Sequence, residues 1–223
     1  MATEAVENYV KAIYAIGRES PTGEATVARL AAVLGLTKGT VTSMVRKLKG
    51  AKLAQAEPYG GVRLTPKGTR LALDVIRRHR LLELFLVQVL GFDWSEVHDE
   101  AERLEHAMSP KLLDRLDEHL GRPSMDPHGD PIPDAKGRVR EAPTIPLPAL
   151  RPGERGIIAR VSDQDPAFLA FASRHGLTPG ATLRVSEVAP EAGSLRVRAA
   201  GAPPVTMSFA AAERILVRRL RAK

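Results

Sequence analysis

The sequence predicts a two-part architecture, a mainly helical N-terminal part followed by an all-β C-terminal part folded as a small barrel. Three observations carry this. Apolar residues recur at helical spacing as far as about residue 121. Seven of the 17 prolines then fall between residues 122 and 151, a shift that reads as an inter-domain linker outside regular structure. After Pro152 the pattern becomes β-like, with about five short strands in roughly 70 residues.

The elements follow in order. Val6, Val10, Ile13 and Ile16 stripe a helix over 4–18, ended by Pro21 and Gly23. Val27, Leu30, Ala31 and Leu34 give a second helix over 26–34, with Gly35 as its breaker. Thr37 caps a third helix carrying Val41, Met44, Val45 and Leu48, which ends near Gly50. Short strands over 53–57 and 62–65 flank Tyr59-Gly60-Gly61, a hairpin signal. Pro66 opens a long helix over 67–90. Further helices are expected over 95–108 and from Ser109 to Gly121. The barrel strands are expected over 156–161, 182–188, 195–199 and 205–208, with a helix over 166–175 between them.

The chain has 223 residues, enough for two small domains. It has no cysteine, which removes disulfides, thiolate metal sites and cysteine nucleophiles together. No apolar run approaches the roughly 20 residues that span a bilayer. The N-terminus is polar-striped and unlike a signal peptide, so a cytoplasmic protein is the expectation.

The net charge of +7 is unevenly placed. Residues 25–73 hold nine basic residues and only Glu57 as acid, whereas residues 93–118 hold nine acids against Arg103, Lys111 and Arg115. The basic window coincides with helix, turn, helix and hairpin, the order of a winged helix-turn-helix. The third helix has a polar front (Thr37, Lys38, Thr40, Thr42, Ser43) and a basic rear (Arg46, Lys47, Lys49, Lys52). The front suits base edges in a major groove, and the rear suits phosphates. Gly39 permits close approach, and Arg63 is the candidate wing contact. The bland reading, a solvated basic face, explains the charge but not its coincidence with the hairpin.

The acidic window carries a second constellation. His79 and Glu83 are one turn apart on the long helix. His98, Glu102, Glu105 and His106 fall within about 120° of arc on the next. Imidazoles and carboxylates on facing helices make a divalent-metal site for Mn, Fe, Co, Ni or Zn. Taken singly each residue reads as a surface or core group; together they read as ligands. His119, His128 and His175 fall outside the pattern and read as surface residues.

ENYVKAIYAI at the start, RRHRLLELFL around His79, VHDEAERLEHAMS after His98 and DPHGDPIP from Asp126 resemble the diphtheria toxin repressor family of metal-dependent transcriptional regulators. The resemblance covers the whole chain. It implies a winged helix-turn-helix over 1–74, dimerisation and metal-binding helices over 75–121, a linker over 122–152 and an SH3-like, FeoA-type domain over 153–223. It also implies two metal sites. The ancillary one uses His79, Glu83 and His98 with a ligand from the C-terminal domain, here Asp163. The primary one uses Glu102, Glu105, His106 and the position of Asn8. Iron-sensing members carry methionine at the Asn8 position and cysteine at that of Glu102, whereas manganese-sensing members carry aspartate and glutamate. Glu102 is therefore of the manganese type, and Asn8 departs from both. Lys11, one turn on, would repel a cation there.

The function implied is a non-enzymatic regulator that loads Mn(II), with Fe(II) as the alternative. As a homodimer it would bind inverted-repeat double-stranded DNA operators and control metal uptake or efflux genes. Leu81, Leu82, Leu84, Phe85 and Val89 are either its dimer interface or internal core. Three rivals remain: a winged-helix sensor of an organic ligand, a metal hydrolase using Glu105 as general base, and a DNA-architectural protein. The first leaves the His/Glu set as coincidence, the second lacks a nucleophile or HExxH helix, and the third needs no ligands.

Overall fold

Residues 2–57, 60–162 and 165–220 are described in the computed structural model of the chain. Two units divide it. The first comprises Met1–His79, Leu104–Ser109 and Pro133–Arg138; the second comprises Arg80–Arg103, Pro110–Ile132 and Val139–Lys223.

The first unit begins with three helices, each started by a threonine. α1 (Glu4–Glu19), α2 (Val27–Leu34) and α3 (Lys38–Gly50) follow Thr3, Thr26 and Thr37, whose hydroxyls accept the backbone N–H of Val6, Arg29 and Thr40. Gly35 ends α2 at φ 65°, and the chain re-enters a helix two residues later. β1 (Ala54–Ala56) and β2 (Val62–Leu64) form the antiparallel wing. Val10, Ile13 and Ile16 of α1, Leu30, Val41, Leu48 and Val62 share one buried core. α4 (Pro66–Gln88) starts flush against the wing, since a Cβ on Gly68 would lie 1.9 Å from the Leu53 carbonyl oxygen. This is the winged helix-turn-helix read from the sequence.

The second unit centres on a six-stranded antiparallel sheet in the order β3-β8-β4-β5-β6-β7. Its strands are β3 (Ile145–Pro146), β4 (Arg155–Val161), β5 (Thr182–Ala189), β6 (Ser194–Ala199), β7 (Val205–Ser208) and β8 (Ile215–Leu220). Leu195, Val197 and Ala199 face the core, while Arg196 and Arg198 face solvent. α7 (Pro166–Arg174) and α8 (Phe209–Glu213) cover the core. Among the described residues no ladder joins the edge strands β3 and β7.

Four sequence expectations are corrected. β8, a central strand, lies beyond the last strand expected. The 122–151 stretch is not free of regular structure: β3 lies in it, and Leu147 and Leu150 enter the second core. Its Asp126-Pro-His-Gly-Asp segment is a tight turn, in which the Asp126 N–H donates to the Asp130 carbonyl and the Val161 N–H of β4 donates to that of His128. α5 (Val97–Leu104) is shorter than expected, followed by α6 (Pro110–His119). Glu105 and His106 therefore occupy a turn rather than the helix face. The Glu105 carbonyl accepts from Arg78 Nη1 at 2.7 Å.

Candidate metal centres and nucleic-acid interface

In the first unit, α1, the end of its α4 segment and the turn at Glu105–His106 bring together Glu7, Lys11, Arg78, His79, Glu105 and His106. Glu105 is fully buried. Its carboxylate accepts from His79 Nδ1 at 2.6 Å and from Lys11 Nζ at 2.9 and 3.1 Å. Lys11 Nζ lies 3.2 Å from the same His79 nitrogen. Burial alone would raise the Glu105 carboxyl, but the His79 hydrogen bond and the Lys11 charge prevail and hold it below its ordinary value.

Glu7 is the functional residue here that sequence reasoning missed. Its carboxylate accepts from Arg78 Nη2 at 2.9 Å and from His106 Nδ1 at 2.7 Å. That places the His106 lone pair on Nε2, which is buried without a hydrogen-bond partner, 3.4 Å from Glu105 Oε1. A carboxylate behind a histidine, presenting the other ring nitrogen, is the usual support of a metal ligand. Asn8 Oδ1, beside Glu7 on α1, is likewise buried and unpartnered. These orphaned acceptors fit a cation. The sequence signal for Glu7 was an acid at a buried position of an amphipathic helix.

In the second unit, Glu83 is 1 % exposed and His128 is 3 % exposed. The reading of His128 as a surface residue is overturned; His119 is exposed and His175 half-buried. His128 stacks on Trp94 and donates from Nε2 to the Trp94 carbonyl at 2.8 Å. Its Nδ1 therefore carries the lone pair, 3.9 Å from Glu83 Oε2. One ligand atom from each of Glu83, Asp126 and His128 lies within 4.8 Å of the others. His98 Nδ1 lies 3.4 Å from Glu83 Oε1, and His98 Nε2 lies 3.8 Å from Glu102 Oε1. So Glu102 meets His98 in this unit. Asp163 lies outside the described residues.

Asp126 Oδ1 accepts the backbone N–H of His128 and of Asp130, each at 2.9 Å. Gly129 makes the turn possible, with φ +86° and an ideal Cβ position only 2.0 Å from the Ala159 carbonyl oxygen. Burial, with Asp130 and Glu83 nearby, pushes the Asp126 carboxyl well above its ordinary value despite Arg80 at 3.6 Å. An imidazole nitrogen beside two buried carboxylates is a donor set that suits a divalent ion. Sequence reasoning did not assign Asp126 and His128 as ligands; their signal was an Asp-x-His pair in a Pro/Gly turn.

The expected DNA-facing residues Thr37, Lys38, Gly39, Thr40, Thr42, Ser43, Arg46, Lys47, Lys49 and Arg63 are all exposed. Several carry internal bonds as well. Thr37 caps the helix, Thr42 Oγ1 donates to the Lys38 carbonyl, and Lys49 Nζ donates to that of Ala56. Arg63 is held by Glu24 and the Thr22 carbonyl, both at 2.8 Å, so its role as a wing contact requires release from Glu24. Lys38, Arg46 and Lys47 remain the cations on the exposed face of α3.

Comparison with known proteins places all three parts of the chain among known domains. Residues 1–62 match the iron-dependent repressor N-terminal DNA-binding domain, 65–134 its metal-binding and dimerisation domain, and 145–219 the FeoA domain. The iron-dependent repressor IdeR of Mycobacterium tuberculosis is 38% identical over 130 residues, 58% of this chain and 56% of that protein. This chain's match thus spans just over half the length of such relatives. The regulator MntR of Bacillus pumilus is 36% identical over 116 residues, 52% of this chain and 78% of that protein. A solved manganese-dependent transcriptional repressor in complex with manganese is 40% identical, with a TM-score of 0.88 over 96% of this chain and all of the other. The cadmium-bound ScaR structure has a TM-score of 0.80 at 30% identity, over 96% and 99%.

Proposed function

The chain belongs to the iron-dependent repressor family of metal-dependent transcriptional regulators, and from that premise we propose that it is itself a divalent-metal-responsive DNA-binding regulator. The observation that carries this is the second-unit set. Glu83, His98, Asp126 and His128 would hold the ion, with Asp163 as a further ligand. When bound, the ion supplies positive charge beside these buried carboxylates. All are oxygen or imidazole donors, which suits Mn(II), with Fe(II) as the alternative. In the first unit Asn8, Glu105 and His106 offer a further set, with His79 one turn before Glu83 on α4. Glu102 is assigned to the first-unit set by resemblance.

The chain's own residues connect site and DNA. α1 carries Glu7, Asn8 and Lys11 on one side and Val10, Ile13 and Ile16 on the other, and the latter pack into the winged-helix core. A rearrangement at Glu105 and His106 therefore moves the body that carries α3. Ligand binding raises DNA affinity only by its preference for the DNA-competent state. A homodimer would place two α3 helices on an inverted repeat. Leu81, Leu82 and Leu84 are buried within the chain, so the dimer surface is better sought among exposed Val89, Leu90, Phe92 and Leu112. Controlled genes would be those of metal uptake or efflux.

The test is fluorescence anisotropy of the protein on DNA from its own upstream region at fixed ionic strength, with chelator and then with Mn(II), anaerobic Fe(II), Co(II) and Zn(II). Binding that requires metal, with Mn(II) or Fe(II) effective, is expected. Specific binding indifferent to chelator and metals would overturn the proposal in favour of an organic-ligand sensor.

A further inference from the structure

Glu7 and Lys11 stand one turn apart on α1, a spacing at which Glu and Lys ordinarily pair. Here each also has partners from elsewhere in the chain. Glu7 is taken by Arg78 and His106, and Lys11 reaches Glu105, 94 residues on in the chain. Its ammonium contacts both oxygens of a fully buried carboxylate and lies 3.2 Å from His79 Nδ1. Only 18 % of the Lys11 side chain is exposed, so this is a half-buried cation.

We propose that Lys11 is a tethered cation that competes with divalent metal for Glu105, so that the first-unit set loads at far higher metal concentration than the second-unit set. The inference rests on the metal-responsive reading above and adds which set responds first. One acceptor beside Glu105 is ready for a cation, His106 Nε2, 3.4 Å from Oε1; Asn8 Oδ1 on α1 is likewise buried without a hydrogen bond. Glu105 is the charged member of that group, and Lys11 already holds it at both oxygens. An ion drawn to His106 and Glu105 must take a carboxylate oxygen from the ammonium and then sit close to its positive charge. Repulsion between an ammonium and a divalent ion a few ångströms apart in a partly buried site is large. Asn8 offsets none of it, because its amide oxygen is neutral.

The specificity consequence follows from ligand chemistry. Weakly bound ions such as Mn(II) are displaced from this set by Lys11 before strongly bound ones such as Zn(II). The first-unit set would stay latched by its own lysine in manganese and yield only to tighter-binding ions.

Native mass spectrometry of the full chain tests this by counting Mn(II) ions per chain at a series of free Mn(II) concentrations, for wild type, Lys11→Met, Lys11→Gln and Lys11→Arg. In the window where wild type carries one ion, Met and Gln variants are expected to carry two, with the weaker affinity raised about a hundredfold, while Arg behaves as wild type. Melting curves in chelator supply a second readout: Lys11→Met is expected to melt lower than wild type without metal and to gain more from Mn(II). Should Lys11→Met fail to fold, the ordering of Gln against Arg decides the matter. Equal ion counts in all folded variants at every concentration would overturn the role of Lys11 while leaving the metal-responsive reading standing. Absence of bound Mn(II) in wild type and variants alike would overturn both.

Discussion

The two His/carboxylate clusters of this chain differ in one property, the origin of their positive charge. In the first, Glu7 and Glu105 face Arg78 and Lys11, so each buried carboxylate has a cation at 2.9 Å. In the second, Glu83 and Asp126 face two imidazoles and Arg80, which stands at 3.6 Å and also binds Asp130 at 3.1 Å. The carboxyls respond in opposite directions, Glu105 below its ordinary value and Asp126 well above. Residue types alone do not separate a latched cluster from one that needs a cation. The countercharge does.

The sharpest way to break the comparison is paired amide substitution. Glu105→Gln removes the carboxylate that Lys11 holds at 2.9 Å and should lower stability in chelator by about 3 kcal/mol. Asp126→Asn removes a buried carboxyl crowded by Asp130 and Glu83 and should raise it, by about 1 kcal/mol. Urea unfolding of both variants in chelator checks the opposite signs; equal signs would erase the distinction.

The pH dependence sharpens the same point. Glu105, with a lowered folded value, contributes stability above its unfolded value of 4.5, and that contribution is lost as pH falls through the folded value. Asp126, with a raised folded value, works the other way: the chelated protein loses its contribution as pH rises from 3.8 through the folded value. Melting from pH 4 to 7 should therefore show the advantage of Asp126→Asn over wild type growing with pH. The deficit of Glu105→Gln should shrink on acidification.

Gly129→Ala would drive a Cβ into the Ala159 carbonyl and displace the turn that holds Asp126 and His128. A loss of about 2 kcal/mol in chelator is expected, with a larger loss of Mn(II) affinity. Asn8→Asp adds a charged ligand to the first-unit set; its Mn(II) affinity should rise about tenfold, about 1.4 kcal/mol, read by competition with a fluorescent chelator. No change would place Asn8 outside the shell.

Much of this was legible in the sequence. The winged helix-turn-helix was visible because its caps, breakers and apolar stripes are local: Thr26, Gly35, Thr37 and Pro66 each act within a turn. Glu83, His98, Glu105 and His106 were singled out as candidate ligands from their spacing. What remained hidden depends on long-range contact. Spacing cannot show that the Glu105 carbonyl goes to Arg78 and takes Glu105 and His106 off the α5 helix. His128 read as a surface residue because Pro127 and Gly129 signal a loop, yet the Trp94 carbonyl and β4 bury it. β8 was overlooked because Arg218 and Arg219 blur its alternation.

The most direct measurement is Mn(II) binding, followed by titration calorimetry, to wild type, His128→Ala and His106→Ala. If the second-unit set loads first, His128→Ala weakens the tight Mn(II) event about a hundredfold or more while His106→Ala leaves it intact. Loss of the tight event in His106→Ala, with His128→Ala unaffected, would contradict it.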